Sequence, residues 1–368
     1  MDILTLKNFY HGKRVFVTGH TGFKGSWLIV LLRELGAEVC GYALEPVTSP
    51  NMFSLINGKN LIEHHVGDIC DYNHLVKVMQ DFKPEIVFHL AAQAIVITGY
   101  QQPRETYATN VMGTVNLLEA VRNTPSVKSV INVTTDKVYL NNDSGQPFVE
   151  NDPLCGYDPY SNSKSCSELV TYSYIKSFFN PDKYAEHGVS VSTCRAGNVI
   201  GGGDWGEHRI IPNCIKSMIK NEPVVISNPN STRPFQYVVE PLYMYVKLAM
   251  LQYENVAFAG SYNIGPEYEN CISIKQLLDY YRKHEPRVKY EVLQKVDTIH
   301  EASKLALDIT KAKNVLGYRI IYNIDNTIRA IVEWTSNYML EKDMLHVTES
   351  QVREFLMQAD KIYAGENK

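Results

Sequence analysis

Val15-Phe16-Val17-Thr18-Gly19-His20-Thr21-Gly22-Phe23-Lys24-Gly25-Ser26-Trp27-Leu28-Ile29-Val30-Leu31-Leu32 is the stretch that decides the fold. Its first four residues are apolar and β-branched and run straight into a glycine-bearing turn, the pattern of a buried strand. Its last six are apolar and predict a buried helix that ends near Gly36. Between them stand Gly19, Gly22 and Gly25. A tight turn, a backbone that approaches a pyrophosphate, and a helix packed closely on its strand each call for a residue without a side chain. The helix N-terminus then faces the phosphates. A glycine triplet alone also suits a purely structural turn, but the strand before it and the helix after it favour a dinucleotide site.

Working outward, Glu38 to Ala43 predicts the second strand of the unit. The usual ribose-binding acid is missing from its end, since Glu45 comes late, and no Arg stands there to hold a 2′-phosphate, which favours NAD over NADP. A strand around His64 to Val66 leads to Asp68-Ile69, a helix follows from Asn73 to Phe82, and Glu85 to Leu90 is the next strand. The small residues Ala91 and Ala92 let a cofactor lie against the backbone, and Gln93 faces a substrate or is an ordinary loop amide. A periodic helix through Asn110, Gly113, Leu117 and Ala120 precedes a fifth strand, Val130 to Thr134. Strand and helix in this alternation predict an α/β fold, a doubly wound parallel (Rossmann) sheet with its ligand at the strands' carboxyl ends.

Chemistry-bearing residues fall at that edge. Thr135-Asp136-Lys137 directly follows the fifth strand. Asp158-Pro159 then opens a helix, Asp as cap and Pro at the first position, that carries Tyr160-Ser161-Asn162-Ser163-Lys164. Residues four apart share a helix face, so the Tyr160 hydroxyl and Lys164 ammonium reach one point. A nearby ammonium favours a phenolate, making Tyr160 a usable base. Taken alone, Tyr160 with Lys164, or Asp136 with Lys137, is a solvated surface pair; together with the glycine turn they describe a site that oxidises an alcohol and moves a second proton.

These blocks resemble the extended short-chain dehydrogenase/reductases that act on nucleotide sugars. The resemblance covers nearly the whole chain and rests on Thr18 to Gly25, Asp68-Ile69, His89-Leu90-Ala91-Ala92-Gln93, Asn110-Val111-Met112-Gly113-Thr114, and Tyr160 with Lys164. Within that superfamily the chain is similar to the nucleotide-sugar 4,6-dehydratases, and among them to the CDP-glucose branch. The blocks that carry this are Gly19 to Trp27, Thr135 to Lys137, Gly156 to Lys164 and Arg195 to Trp205. The resemblance implies NAD as cofactor, held by Gly19, Thr21, Gly22, Phe23, Lys24, Gly25, Asp68, Ile69, Leu90, Ala91, Ala92, Tyr160 and Lys164. It implies a nucleotide-diphosphate sugar as substrate, met by Gln93, Asn198, Arg209 and Arg233, the arginines being suited to a diphosphate or else plain surface charges.

The implied cycle begins with Tyr160 taking the sugar 4-hydroxyl proton as hydride leaves C4, with Thr135 bonded to that oxygen. Water is then lost across C5 and C6 with Asp136 as general acid, and hydride returns to C6. Many dehydratases use a Glu to remove the C5 proton, where this chain has Lys137; a lysine serves as a base only when its pKa falls well below about 10.4. Two further departures fall near the sugar: Ile95-Val96-Ile97 where the CDP-glucose branch tends to carry an Arg, and a short polar Leu140 to Gly145 where it tends to carry a longer loop with Trp. A 4-epimerase or 4-oxidase is the rival enzyme reading, opposed by Asp136; a sensor or scaffold without turnover is opposed by an intact Thr135, Asp136, Tyr160 and Lys164. The resemblance also implies deoxysugar biosynthesis, such as supplies lipopolysaccharide O-antigen, and a homodimer or homotetramer paired partly through the Tyr160 helix.

In the second half, Gly188 to Cys194 predicts another strand, Arg195 to Trp205 a glycine-rich binding loop, Glu240 to Gln252 a helix and Gly260 to Gly265 a strand and turn. Helices are expected over Ile274 to Tyr281, Ile324 to Leu340 and Glu349 to Tyr363, with His300 through Leu305 to Leu316 in a smaller lobe and a charged tail at the end. The expected division is interleaved: 1–195 and 238–265 as the dinucleotide-binding domain, 196–237 and 266–368 as the nucleotide-sugar lobe. The chain has 368 residues, 45% of them hydrophobic, enough for a full core. A formal net charge of -4 gives no cause to expect nucleic acid or a membrane surface as partner. Seven dispersed cysteines without a C-x-x-C pair suit a reduced cytoplasmic protein and no metal site.

Overall fold

The computed structural model describes residues 3–142, 144–207, 209–226, 228–268, 271–293 and 305–365. Residues 300–304 of the expected smaller lobe, Asp143 of the 140–145 loop and the tail 366–368 lie outside these. Seven parallel strands form the central sheet: β1 (Arg14–Thr18), β2 (Glu38–Ala43), β3 (Glu63–Val66), β4 (Ile86–His89), β5 (Ser129–Val133), β6 (Ser190–Ala196) and β7 (Ser261–Ile264). Their spatial order is β7-β6-β5-β4-β1-β2-β3, with Val15 opposite both Val39 and Ile86 in register. The order reverses between β1 and β4, and in such a sheet the crevice at that switch point receives the ligand.

Most of the central strands are buried along their whole length, as parallel sheets covered on both faces require. One face packs against α2 (Phe23–Glu34), whose Trp27 to Leu32 are buried without break. The other packs against α3 (Tyr72–Phe82) and α4 (Gly113–Arg122) through Leu75, Met79, Leu117 and Leu118. Helix α5 (Pro159–Ser177), which carries Tyr160 and Lys164, lies beside α4. Beyond β6 come α6 (Ile210–Lys220), α7 (Val239–Glu254), α8 (Ile274–His284), α9 (Ile324–Met339) and α10 (Met344–Ala364). Short two-stranded pairings, 199–200 with 236–237 and 232–233 with 272–273, tie the second half together.

The strands and long helices that the sequence predicts are present, and the structure adds elements that the reading did not name, α6 among them, and starts the last helix at Met344 instead of Glu349. A helix α1 (Ile3–Tyr10) precedes β1; it buries Leu6 and Tyr10, and the Tyr10 hydroxyl donates to the Val246 carbonyl at 2.7 Å. Residues 103–122 are not one regular helix, because a π turn at Ala108–Met112 interrupts them. No helix among the described residues is long and apolar enough to cross a membrane.

Candidate active site

The glycine turn forms a cradle at the start of α2. Gly19 has φ +76, and a Cβ there would stand 2.6 Å from the Ala91 amide nitrogen; one on Gly25 would stand 2.2 Å from the Gly19 carbonyl. Both are dictated by the chain itself. Gly22 differs: its nearest neighbour would be 3.4 Å away, an ordinary contact, and its backbone is extended with no side chain capping α2. The open N-terminus, with Phe23, Lys24 and Gly25 in its first turn, therefore fits an anionic pyrophosphate drawn against Gly22. Thr21 anchors the turn by donating to the Leu44 carbonyl at 2.8 Å.

Across the switch point, Leu90, Ala91 and Ala92 line the opposite wall. The Ala91 amide donates to Thr18 Oγ1 at 3.2 Å, and Thr18 Oγ1 meets His89 Nδ1 at 2.7 Å. Burial, with the Lys164 charge second, pushes His89 down to about 3, so it stays neutral. Further along, Tyr42 donates to the Asp68 carbonyl at 3.0 Å, Asn116 donates to the Ile69 carbonyl at 3.0 Å, and Ile69 is buried.

Thr135 and Asp136 are buried just past β5, and Thr135 donates to Asp136 Oδ1 at 3.0 Å. Asp136 Oδ2 has no hydrogen-bond partner. Burial raises the Asp136 pKa against the pull of Lys137, Thr135 and Arg233. Lys137 is half-buried, its amide donating to Thr135 Oγ1 at 3.4 Å. On α5, the Asp158 carboxylate accepts from the Ser161 amide at 3.0 Å and Pro159 opens the helix, as the sequence predicts.

Lys164 corrects one expectation. Its ammonium donates to the Val133 carbonyl at 3.1 Å instead of meeting Tyr160, and burial pushes it down to about 8, with Glu168 opposing. Burial also pushes Tyr160 up to about 12; the Thr135 hydrogen bond and then Arg209 oppose this, while Asp136 adds to it. Tyr160 and Lys164 both lie in the first turns of α5, and the hydrogen bond the ammonium makes is to the strand carbonyl.

The four residues expected to meet the substrate separate. Gln93 is engaged in its own loop: Oε1 accepts from the Ile95 amide at 2.6 Å and Nε2 donates to Thr106 at 2.9 Å. Asn198 accepts the Gln236 amide through its backbone at 3.0 Å, in the 199–200 and 236–237 pairing. Arg209 pairs with buried Asp204 at 3.2 Å and acts on Tyr160. Arg233 is buried, bonds the Thr232 carbonyl at 2.8 Å and acts on Asp136. A Cβ on Gly197 would meet Pro234 at 2.6 Å and Asp136 Oδ2 at 3.1 Å, so the glycine loop and the Arg233 segment converge on the acid.

Residues 16–331 match the family described as GDP-mannose 4,6 dehydratase, which is most of the chain. This chain belongs to that family. Among curated proteins it is similar to the CDP-glucose 4,6-dehydratase of Salmonella typhimurium, 45% identical over 351 residues that cover 95% of this chain and 98% of that one. It is also similar to a putative UDP-glucose 4-epimerase of Methanocaldococcus jannaschii, 31% identical over 88% of this chain and 98% of that one. In fold it is similar to the UDP-glucuronic acid 4-epimerase of Bacillus cereus, solved in complex with UDP-glucuronic acid and NAD. The TM-score is 0.75 at 23% identity, covering 88% of this chain and 99% of that one.

This GDP-mannose 4,6 dehydratase family member also holds its site with groups to which sequence reading assigns no role. Glu168 and Arg195, both buried, form a two-point ion pair at 3.0 and 2.9 Å, and Glu168 also accepts from Thr134 and Thr193. Asn110, in the π turn, accepts from the Gln93 amide and donates to the Gln93 carbonyl and Ser163 Oγ, joining the 91–93 wall to α5. Arg195 and Asn110 stand in blocks that the sequence reading quotes, and a Glu four residues beyond Lys164 is a local sign of the ion pair, but nothing local announces what Asn110 joins. Cys40, Glu63 and His65 bring metal-ligand atoms within 4.8 Å of one another on adjacent strands, a grouping without any metal-motif spacing.

Proposed function

We propose that this chain is a nucleotide-sugar 4,6-dehydratase that converts CDP-glucose to CDP-4-keto-6-deoxyglucose. The observation that carries the reading is Asp136: a buried carboxyl with one oxygen unpartnered, its pKa raised by burial, facing the loop of Gly197 and Arg233. A carboxyl whose pKa is raised at the ligand edge of the sheet suits the general acid that expulsion of a 6-hydroxyl needs, a group a simple 4-epimerase does not use. The similarity to the Salmonella enzyme supports CDP-glucose as the sugar nucleotide.

NAD, when bound along the Gly19 to Gly25 cradle, supplies the hydride acceptor for C4 and the donor for C6. Tyr160 takes the 4-hydroxyl proton, with Thr135 and Arg209 favouring its phenolate. Thr135 holds the C4 oxygen. Lys137 stands where many dehydratases carry the base for the C5 proton, which the 4-ketone acidifies, and Asp136 is the general acid for the departing hydroxyl. Arg233 and Asn198 hold the diphosphate from the 196–237 segment, and Arg209, steadied by Asp204, approaches from the same side. Residues 1–195 and 238–265 then carry the cofactor, and 196–237 with 266–368 the nucleotide sugar.

The exposed Leu169 and Tyr172 on α5 support pairing of two subunits through that helix, and sedimentation velocity showing only monomer would exclude it. Free thiols at all seven cysteines support a reducing, cytoplasmic setting. The function is tested with a panel of CDP-, GDP-, dTDP- and UDP-sugars read by mass spectrometry. CDP-glucose is expected to lose one water; a product of unchanged mass would favour a 4-epimerase, and inertness toward every sugar with cofactor still bound would favour a sensor.

A further inference from the structure

Asp136–Val138 is a single 3₁₀ turn just past β5, and fixing so short a segment in one shape costs conformational entropy that its flanks must offset. Four residues around it are held. Ahead of the turn, the Val133 carbonyl accepts from the Lys164 ammonium at 3.1 Å and the Thr134 hydroxyl donates to Glu168 Oε1 at 2.5 Å. At its far end, the Val138 carbonyl accepts from the Ser165 hydroxyl at 2.7 Å and the Tyr139 hydroxyl accepts from Arg195 Nη1 at 2.8 Å. Two of these four grips belong to one buried ion pair. Each carboxylate oxygen of Glu168 takes one hydroxyl and one guanidinium nitrogen: Oε1 takes Thr134 and Arg195 Nε, Oε2 takes Thr193 and Arg195 Nη2. The remaining nitrogen, Nη1, reaches both Tyr139 and the Glu150 carbonyl at 2.8 Å.

We propose that Glu168 and Arg195 are positioning residues for the reaction: their ion pair clamps the Thr135–Lys137 segment from both flanks, through Thr134 and Tyr139, and so holds Thr135 and Asp136 in register with Tyr160. The inference rests on the reading above that those three residues carry the chemistry. Glu168 stands about two turns beyond Tyr160 on α5. The carboxylate that grips Thr134 therefore rides on the helix that presents the phenol, and a short rigid stretch of helix sets the spacing between them. Arg195 rides on β6, which pairs with β5 in the sheet, so Tyr139 is fixed to the frame of the sheet. Tyr139 in turn donates to Asn263 Oδ1 of β7 at 2.6 Å. Hydrogen bonds to charged groups are the strong ones, and a buried pair with both oxygens and all three nitrogens engaged holds one geometry. Catalytic groups displaced by about an ångström lose roughly 10²-fold in rate, so looseness in this segment falls on the chemical steps.

The test compares substitutions that each delete one buried hydroxyl from this network and leave the ion pair in place, because removing one partner strands the other charge in the core. Thr134→Val and Tyr139→Phe remove the two grips on the segment. Thr193→Val removes a bond to the same carboxylate from β6, away from the segment. Hydrogen–deuterium exchange over residues 133–139 needs no ligand; it is expected to quicken about tenfold in Thr134→Val and Tyr139→Phe and to keep the wild-type rate in Thr193→Val. With CDP-glucose, the first two are expected to lower kcat on the order of 10- to 100-fold with KM and NAD affinity within about twofold of wild type, whereas Thr193→Val keeps kcat. Tyr139→Phe retains the ring that stacks on Phe148 at 4.8 Å, so it decides even where melting curves show Thr134→Val unfolded. Equal loss of kcat in Thr193→Val and the clamp variants, unaltered exchange in both clamp variants, or a loss confined to KM overturns the proposal. A wild type inert toward CDP-glucose, with exchange in the expected order, supports the clamp and overturns the dehydratase reading instead.

Discussion

Removing a carboxyl from water disfavours its ionised form, and Asp136 keeps its proton to higher pH than an exposed aspartate does. The sign follows: the step that needs this proton weakens as pH rises through the raised pKa, whereas the step that needs the Tyr160 phenolate strengthens. Rapid-quench measurement is therefore expected to find water loss falling and C4 oxidation rising toward alkaline pH; both moving together would remove the division of roles. Substitutions test the same assignment. Tyr160→Phe is expected to lose C4 oxidation, Asp136→Asn to retain cofactor reduction without water loss, and Lys137→Met to retain oxidation without exchange of the C5 hydrogen in deuterated water. Each is expected to lose on the order of 10²- to 10⁴-fold at its own step, and equal loss at every step in all three would refute the scheme. The position of Thr135 and Asp136 was legible because the α/β fold puts residues directly after β5 at the strands' carboxyl edge. The partner of Lys164 was not, since the Val133 carbonyl that holds it is 31 positions away.

At the scale of elements, the glycine turn separates what the chain needs from what a ligand needs. Gly19 and Gly25 have no room for a methyl group, so alanine at either displaces backbone. Gly22 has room, and its extended backbone suits alanine. Gly22→Ala is therefore expected to leave the melting temperature unchanged while weakening NAD binding by at least about tenfold, as the new methyl group holds off the pyrophosphate. Titration calorimetry showing unaltered affinity would argue that no phosphate approaches this residue. The start of α5 could be read from Asp158-Pro159 because capping is local chemistry. The π turn could not, because Asn110 is held by Gln93, 17 positions earlier, and Ser163, 53 later. Helix α1 is short, and its burial is decided by contact with α7.

At the scale of the molecule, one carboxyl at the start of α7 fastens the segment ahead of α9 to α7, which packs on the central sheet. Glu240 Oε1 accepts the amides of Ile321 and Tyr322 at 2.7 and 2.5 Å, ahead of α9, while its Oε2 has no partner. Tyr322 in turn stacks on Tyr237 with centroids 5.1 Å apart and packs on Phe355 of α10. Burial pushes Glu240 from 4.5 up to about 8, and the two amides only partly offset this. The folded protein thus holds a proton that the unfolded chain releases near 4.5. This contribution to stability is complete below about 4.5 and is lost as pH rises through about 8. His20 and His89, lowered to about 3, and Lys24, Lys164 and Lys247, lowered to between about 7 and about 8, titrate with the opposite sign. The clean observable is accordingly the difference between Glu240→Gln and wild type. Glutamine keeps a carbonyl for the two amides and has no charge to bury. Its melting temperature is expected to gain on the wild type by on the order of a few degrees as pH rises from about 4.5 to about 8, and to run parallel outside that window. A difference independent of pH would mean that Glu240 is ionised in the fold and that the clasp is held by its charge.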